Sequence, residues 1–142
     1  MEQNYKNHPR LVTGFHRILA ILLLAGLIGS IINLTESIET ETYYSASLIV
    51  LLFICCIFIY WYTRSFPLRA QDRAIRAEEN FRYYILTGKP LPSDLRLSQI
   101  IALRFASDEE FPALVERARK ENMRSKEIKQ AIQKWKPDYH RV

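Results

Sequence analysis

Hydrophobic positions along this chain come first in two unbroken runs and then in periodic stripes. The runs are FHRILAILLLAGLIGSIINL, from Phe15 to Leu34, and YYSASLIVLLFICCIFIYWY, from Tyr43 to Tyr62, joined by the polar stretch TESIETET. No charged residue falls within Ile18–Leu34 or within Tyr43–Tyr62. A hydrocarbon core about 30 Å thick takes about 20 helical residues to cross, so each run predicts a membrane-spanning helix. Each central Leu, Ile, Phe or Val favours insertion by about 0.3–0.6 kcal/mol. A cleaved leader is the competing reading of the first run. Its apolar core exceeds the usual length of about 7–15 residues, however, and no small-residue cleavage pattern follows. The pair therefore predicts a transmembrane hairpin over residues 15–62, with spans at about 15–34 and 43–62 and a turn at 35–42.

Beyond Tyr62 the pattern changes period. Pro67 predicts a helix break, because proline lacks the N–H that continues the ladder. The run LRAQDRAIRAEENFRYYILT, from Leu68 to Thr87, is strongly helical in propensity and is expected to form a separate juxtamembrane helix over 63–89. Gly88 and Pro90 supply its stop, one as a left-handed C′ residue and the other as a helix breaker. Within it, Arg69, Arg73 and Arg76 form one stripe, and Ala70, Ala74, Ala77, Phe81 and Tyr84 form a second with the same spacing. Three short helices are predicted over 90–142. The first begins between Leu95 and Ser98 and ends at Ala106, with Leu97, Ile100, Ile101 and Phe105 on its apolar side. The second opens at a Ser107-Asp108-Glu109-Glu110 capping box, runs to about Glu121 and carries Phe111, Leu114, Val115 and Ala118. The third is capped by Ser125, runs to Trp135 with Ile128, Ala131, Ile132 and Trp135, and is stopped by Pro137. Apolar positions at i, i+3, i+4 and i+7 in consecutive helices predict a small packed unit. The expected fold class is all-α: a two-helix transmembrane hairpin, a juxtamembrane helix and a small cytoplasmic helical unit, after an N-terminal tail at 1–14.

Charge adds orientation. The chain carries a net +5 over 142 residues, and its near-neutral mean hydropathy of −0.11 averages two apolar runs with a charged tail. Lys6, Arg10 and Arg17 precede or open the first run, and the turn holds Glu36, Glu39 and Glu41 without a cation. Arg64, Arg69, Arg73 and Arg76 follow the second run. Positive residues stay on the cytoplasmic side, so both termini are expected there, with the acidic turn outside. Tyr43 and Tyr44 at one end and Tyr60, Trp61 and Tyr62 at the other read as interfacial belts. Arg64, Arg69, Arg73 and Arg76 are the expected contacts to anionic lipid headgroups, each cation contributing about 1 kcal/mol near such a surface.

Candidate chemistry is sparse. Ala25, Gly26, Gly29 and Ser30 on the first span and Ser45, Ala46 and Ser47 on the second are small enough for close helix approach, and are read as hairpin packing. No ionisable side chain falls mid-span, which argues against transport or a proton relay. Cys55 and Cys56 are adjacent inside the second run and read as soft hydrophobes. His16 lies at the inner interface with no second histidine on the other span, so it reads as an anchor rather than a haem ligand. No cofactor or metal is expected. Asp108, Glu109 and Glu110 are the acids a helix start favours, and Asp138 with His140 falls short of a three-ligand metal set. The Gly88-Lys89 pair lacks the glycine spacing and the Ser/Thr of a phosphate-binding loop. The last two helices are basic, through Arg117, Arg119, Lys120, Arg124, Lys126, Lys129, Lys134 and Lys136, yet Glu116, Glu121 and Glu127 interleave with them. Nucleic acid or the ribosome is therefore a second candidate partner behind a protein or a second copy of the chain.

The segments AQDRAIRAEENFRYYILTGKPL, QIIALRFASDEEFPALVERARKEN and KEIKQAIQKWKPDYHRV resemble a family of small two-span bacterial membrane proteins of unknown function, found largely in Bacteroidota. The resemblance implies a multi-pass protein of the bacterial inner membrane and brings no catalytic residues. The combined reading is a non-enzymatic inner-membrane anchor presenting a cytoplasmic helical module, as an accessory or scaffold component of a membrane complex. The alternative is a membrane-tethered basic module for ribosome or nucleic acid.

Overall fold

The computed structural model describes residues 11–138; the expectations for Lys6, Arg10 and His140 concern residues outside that range. Five α-helices follow one another: α1 (Ala20–Glu36), α2 (Tyr43–Thr87), α3 (Leu97–Leu103), α4 (Phe111–Lys120) and α5 (Ser125–Ala131), with a π-helical stretch, Gly14–Leu19, leading into α1. No β-strand occurs among the described residues; one isolated antiparallel bridge joins Ala106 and Trp135. The chain divides into two compact units, one spanning 10–66 and the other built from residue 67 onward.

The first unit is an antiparallel pair made by α1 and the beginning of α2. At its open end the Phe15 and Tyr60 rings stack with centroids 4.7 Å apart. Midway, Phe53 lies over Gly26 so closely that a Cβ there would collide with the ring. Toward the turn Ser30, Ser37 and Ala46 are buried. The turn closes through the Thr40 and Tyr43 N–H groups, which donate to the Ser37 and Thr40 carbonyls at 3.0 and 3.2 Å. Apolar side chains on the remaining faces, such as Ile21, Leu22, Leu52 and Ile59, are largely exposed.

α2 does not stop where Pro67 predicts. It runs on through the proline to Thr87. Proline removes one ladder bond, to the Thr63 carbonyl, which a helix can absorb when both flanks are strong helix formers. The Ala-rich stretch from Leu68 supplies the C-terminal flank. The helix ends as read: Gly88 takes φ +71°, and its N–H donates to the Tyr84 carbonyl at 2.8 Å. This left-handed φ costs a glycine nothing.

In the second unit, the last turns of α2 pack with α3, α4 and α5 around one core. Tyr83, Leu95, Ile100, Leu103, Phe111, Leu114, Val115, Met123 and Ile128 are buried together. α4 ends in a Schellman motif: Asn122 adopts φ +48°, Met123 N–H reaches Ala118 O at 3.0 Å, and Asn122 N–H reaches Arg119 O at 3.3 Å. α3 ends at Leu103 rather than at Ala106, and two helix starts also depart from the expected ones. α4 starts at Phe111 rather than at a full Ser107 cap. Only the reverse half of the box forms, Ser107 N–H donating to Glu110 Oε1 at 3.4 Å. Ser125 does not cap α5 but is its first residue; Arg124 precedes it, and its N–H is held by Glu127 Oε2 at 2.6 Å.

α5 also ends at Ala131, short of Trp135. The chain instead turns extended, and the Glu110 carboxylate accepts the N–H groups of Gln133 and Lys134, both at 3.1 Å. Trp135 then pairs with Ala106 through Ser107 N–H to Lys134 O at 3.1 Å and Lys136 N–H to Phe105 O at 2.7 Å. Its ring stacks on Phe105 with centroids 4.6 Å apart. A buried aromatic surface and a carboxylate offering two acceptors outcompete one more helical turn.

Candidate functional site

The stretch of α2 after Pro67 has three faces, and the second unit accounts for only one of them. The face carrying Ile75, Glu79 and Tyr83 turns into the core. Arg82 fixes it there. Its guanidinium donates to Asp108 Oδ1 at 2.6 Å, to the Ala106 carbonyl at 2.7 Å and to Glu79 Oε2 at 3.0 Å, and it lies 4.2 Å from the Phe111 ring centroid. Tyr83 donates to Glu116 at 3.3 Å, and Asn80 Oδ1 accepts the Leu91 N–H at 2.9 Å. Burial raises the Glu79 pKa above its ordinary value, with Arg82 opposing that shift. The hydrogen bond from Arg82 lowers that of Asp108.

The second face is the expected basic stripe. Arg69, Arg73 and Arg76 are exposed. Arg82, Arg104, Arg117 and Arg119 all pair with carboxylates. Arg73 and Arg76, like Arg69, have no ion-pair or hydrogen-bond partner among the described residues. Both line a groove of about 390 Å³ between α2 and the Pro90–Ser93 segment, together with Asn80 and Ser93 and an apolar floor that includes Leu91 and Ile100. Arg69 lies outside this groove. Arg64 belongs to the hairpin unit, where it is half-buried.

The third face is the stripe of Ala70, Ala74, Ala77, Phe81 and Tyr84. None of it enters the core; with Ile85 it is exposed along its length. Sequence spacing alone presents this stripe as the natural packing face. The burial of Glu79 through Arg82 shows why the core chose the neighbouring one: the unit closes on a paired polar anchor as well as on apolar side chains. Arg82 carried no signal in the sequence beyond being one more arginine. Ser93 and Asn80 carried none, and the Pro90-x-Pro92 pair reads as a plain link.

The hairpin residues separate into two groups. Gly26, Ser30 and Ala46 are at the helix contact, and Ser47 is half-buried, whereas Ala25, Gly29 and Ser45 face outward. A Cβ at Gly29 would meet nothing within 4 Å. The hydroxyls of Ser30, Ser45 and Ser47 all donate to carbonyls of their own helix, at 2.8, 2.8 and 2.7 Å. His16 is also engaged locally, its Nδ1 within 3.1 Å of the Val12 N–H and 3.0 Å of the Val12 carbonyl. Among the described residues no cluster of three or more His, Cys, Asp or Glu is positioned for a metal ion.

The acids considered for catalysis each have a structural partner. Asp108 pairs with Arg82, Glu109 with Lys134 and Asp138 with Arg104, and Glu110 caps backbone N–H groups.

One family of proteins matches the chain from residue 1 to residue 142, and it is a family of unknown function. The chain belongs to that family, DUF6526. No curated protein and no solved structure matches it. Membership brings no activity, substrate or partner.

Proposed function

We propose that the protein is a non-enzymatic anchor of the bacterial inner membrane that presents its C-terminal helical unit in the cytoplasm, as an accessory component of a membrane complex. The observation that carries the reading is the division of α2. After the apolar stretch, one face is closed on the helical unit, one carries exposed arginines, and one leaves an aromatic stripe exposed. Two helices, Gly14–Glu36 and Tyr43–Thr87, are long and apolar enough to cross a membrane, with mean hydropathy 2.4 and 2.3 in their best windows. Side chains such as Ile21 and Ile59, 65% and 64% exposed, are at home in lipid and costly in water. Arg64, Arg69, Arg73 and Arg76 then meet anionic headgroups on the side that the positive-inside rule assigns to the cytoplasm.

The exposed stripe suits a second copy. Ala70, Ala74, Ala77, Phe81 and Tyr84 follow the 4-3-4-3 spacing of a coiled-coil seam, in which Arg73 and Glu78 take flanking positions of opposite charge. Two copies inserted in one membrane with the same orientation would be parallel, the arrangement in which those charges meet. Nucleic acid is the weaker partner, because Arg117, Arg119, Lys134 and Lys136 are engaged with carboxylates. The test is cross-linking in native membranes of Tyr84→Cys in a chain whose Cys55 and Cys56 are changed to Ser. A disulfide-linked dimer is expected, and Glu78→Arg should reduce it. A chain that stays monomeric at every expression level rules out the second copy, and nuclease-sensitive co-purification would favour the basic-module reading.

A further inference from the structure

Resting on the membrane-anchor reading, we infer that the groove between α2 and the Pro90–Ser93 segment is a binding site for one phosphate group, as carried by an anionic phospholipid headgroup. A diffuse basic collar needs only charge near the surface; this groove has the parts of a site. Arg73 and Arg76 line it with no ion-pair partner among the described residues, whereas Arg82, Arg104 and Arg119 of the same unit are each matched to a carboxylate. Guanidinium groups match phosphate oxygens in geometry as well as in charge. Ser93 and the Asn80 side chain add polar groups on the same lining. The Asn80 carbonyl oxygen is committed to the Leu91 N–H at 2.9 Å, which directs its amide NH₂ to remain as a donor.

The wall opposite the arginines is held in place before any ligand arrives. Gly88 turns the chain at φ +71°, Pro90 and Pro92 restrict their own backbone, and Asn80 ties the intervening Leu91 to α2. Such preorganisation lowers the ordering cost of binding. At about 390 Å³ the groove falls in the size range of small-ligand pockets. The apolar floor of Leu91 and Ile100 has no use for a bare phosphate, but it accommodates the glycerol and first carbons of a lipid. Ile100 belongs to the buried core, so that floor is rigid.

The experiment uses the full chain in neutral detergent, with retained ligands counted by native mass spectrometry against added phosphatidylglycerol, phosphatidylcholine or inorganic phosphate. One phosphatidylglycerol per chain is expected to be held in preference to phosphatidylcholine. Losing a charge-assisted contact should weaken retention by about tenfold for each of Arg73→Gln and Arg76→Gln. Arg69→Gln, the same charge change outside the groove, should leave it nearly unaltered. Ser93→Trp, away from the exposed stripe, fills the groove while keeping both cations, and should abolish retention as well. Circular dichroism confirms folding of each variant, since neither arginine has a partner to lose among the described residues. Inorganic phosphate that competes with the lipid supports the site, and phosphate that binds where no lipid does supports it with a free phosphate compound as its source. Equal losses for all three arginines, with Ser93→Trp silent, would overturn the groove while leaving the collar standing. Absence of any anionic preference would remove both.

Discussion

At the scale of single residues, Arg82 holds the second unit to α2 and Glu79 sets the sign of part of its pH dependence. Arg82→Ala removes a guanidinium that serves two carboxylates, a carbonyl and an aromatic ring, and it strands the buried Glu79. The expected loss is about 2–4 kcal/mol, below the range for a fully buried pair because Asp108 is exposed. Asp108→Asn should cost under about 1 kcal/mol. Chemical unfolding of the full chain in micelles, followed by circular dichroism, measures both.

The pH dependence has two opposing parts. Asp108 and Asp94 have pKa values lowered by Arg82 and Arg119. Their stabilisation is present above the ordinary aspartate value of 3.8 and is lost as pH falls through the lowered folded values. Glu79 has the opposite sign: its raised value means the fold binds the proton more readily than the unfolded chain does. Stability should therefore rise as pH drops from neutral through the raised Glu79 value toward 4.5, then fall at stronger acid. Glu79→Gln should abolish the rise without changing the acid limb. A melting temperature that decreases monotonically from pH 7 downward in the unmodified chain would refute this assignment.

The two hairpin glycines make a matched pair of tests. Gly26→Ala must push the Phe53 ring aside and should destabilise the hairpin by about 1–3 kcal/mol. Gly29→Ala, with open space around its Cβ, should be silent. Thermal aggregation of the detergent-solubilised chain distinguishes them.

At the scale of elements, the strap after α5 shows why helix ends resist prediction. Residues 125–135 have a clear helical stripe, and nothing local stops a helix before Pro137. What ends it is Glu110, distant in sequence, accepting the Gln133 and Lys134 N–H groups, and Phe105 offering a ring to Trp135. Trp135→Ala should cost about 2–3 kcal/mol, less than for full burial because the residue is only partly buried. Glu110→Ala should release the strap and add protease sensitivity after Ala131, which limited proteolysis with mass mapping would reveal. The same lesson applies to α2. Its propensity and stripes were readable, but which stripe faced the core depended on where Arg82 found its partners.

At the scale of the whole molecule, the division between an apolar pair of helices and a charged helical unit follows directly from composition and periodicity. Cysteines introduced singly at Glu39 and at Lys126, in the background lacking Cys55 and Cys56, test the proposed orientation. An impermeant thiol reagent applied to intact cells should label the first and spare the second until the membrane is opened. Labelling of both from outside would contradict the topology.

Helix existence was legible in the sequence because apolar runs of about 20 residues and repeats near 3.6 are local properties, as are the glycine stop at Gly88 and the absence of mid-span charge. Tertiary structure decided the rest. It brought Gly26 under Phe53, carried α2 through Pro67, drew Glu110 to the end of α5, buried the Glu79 face and set Arg73 and Arg76 beside a proline-braced wall. Each of these outcomes is a competition among partners far apart in the chain. Burial and pairing free energies of a few kcal/mol outweigh the few tenths per residue that local propensity supplies.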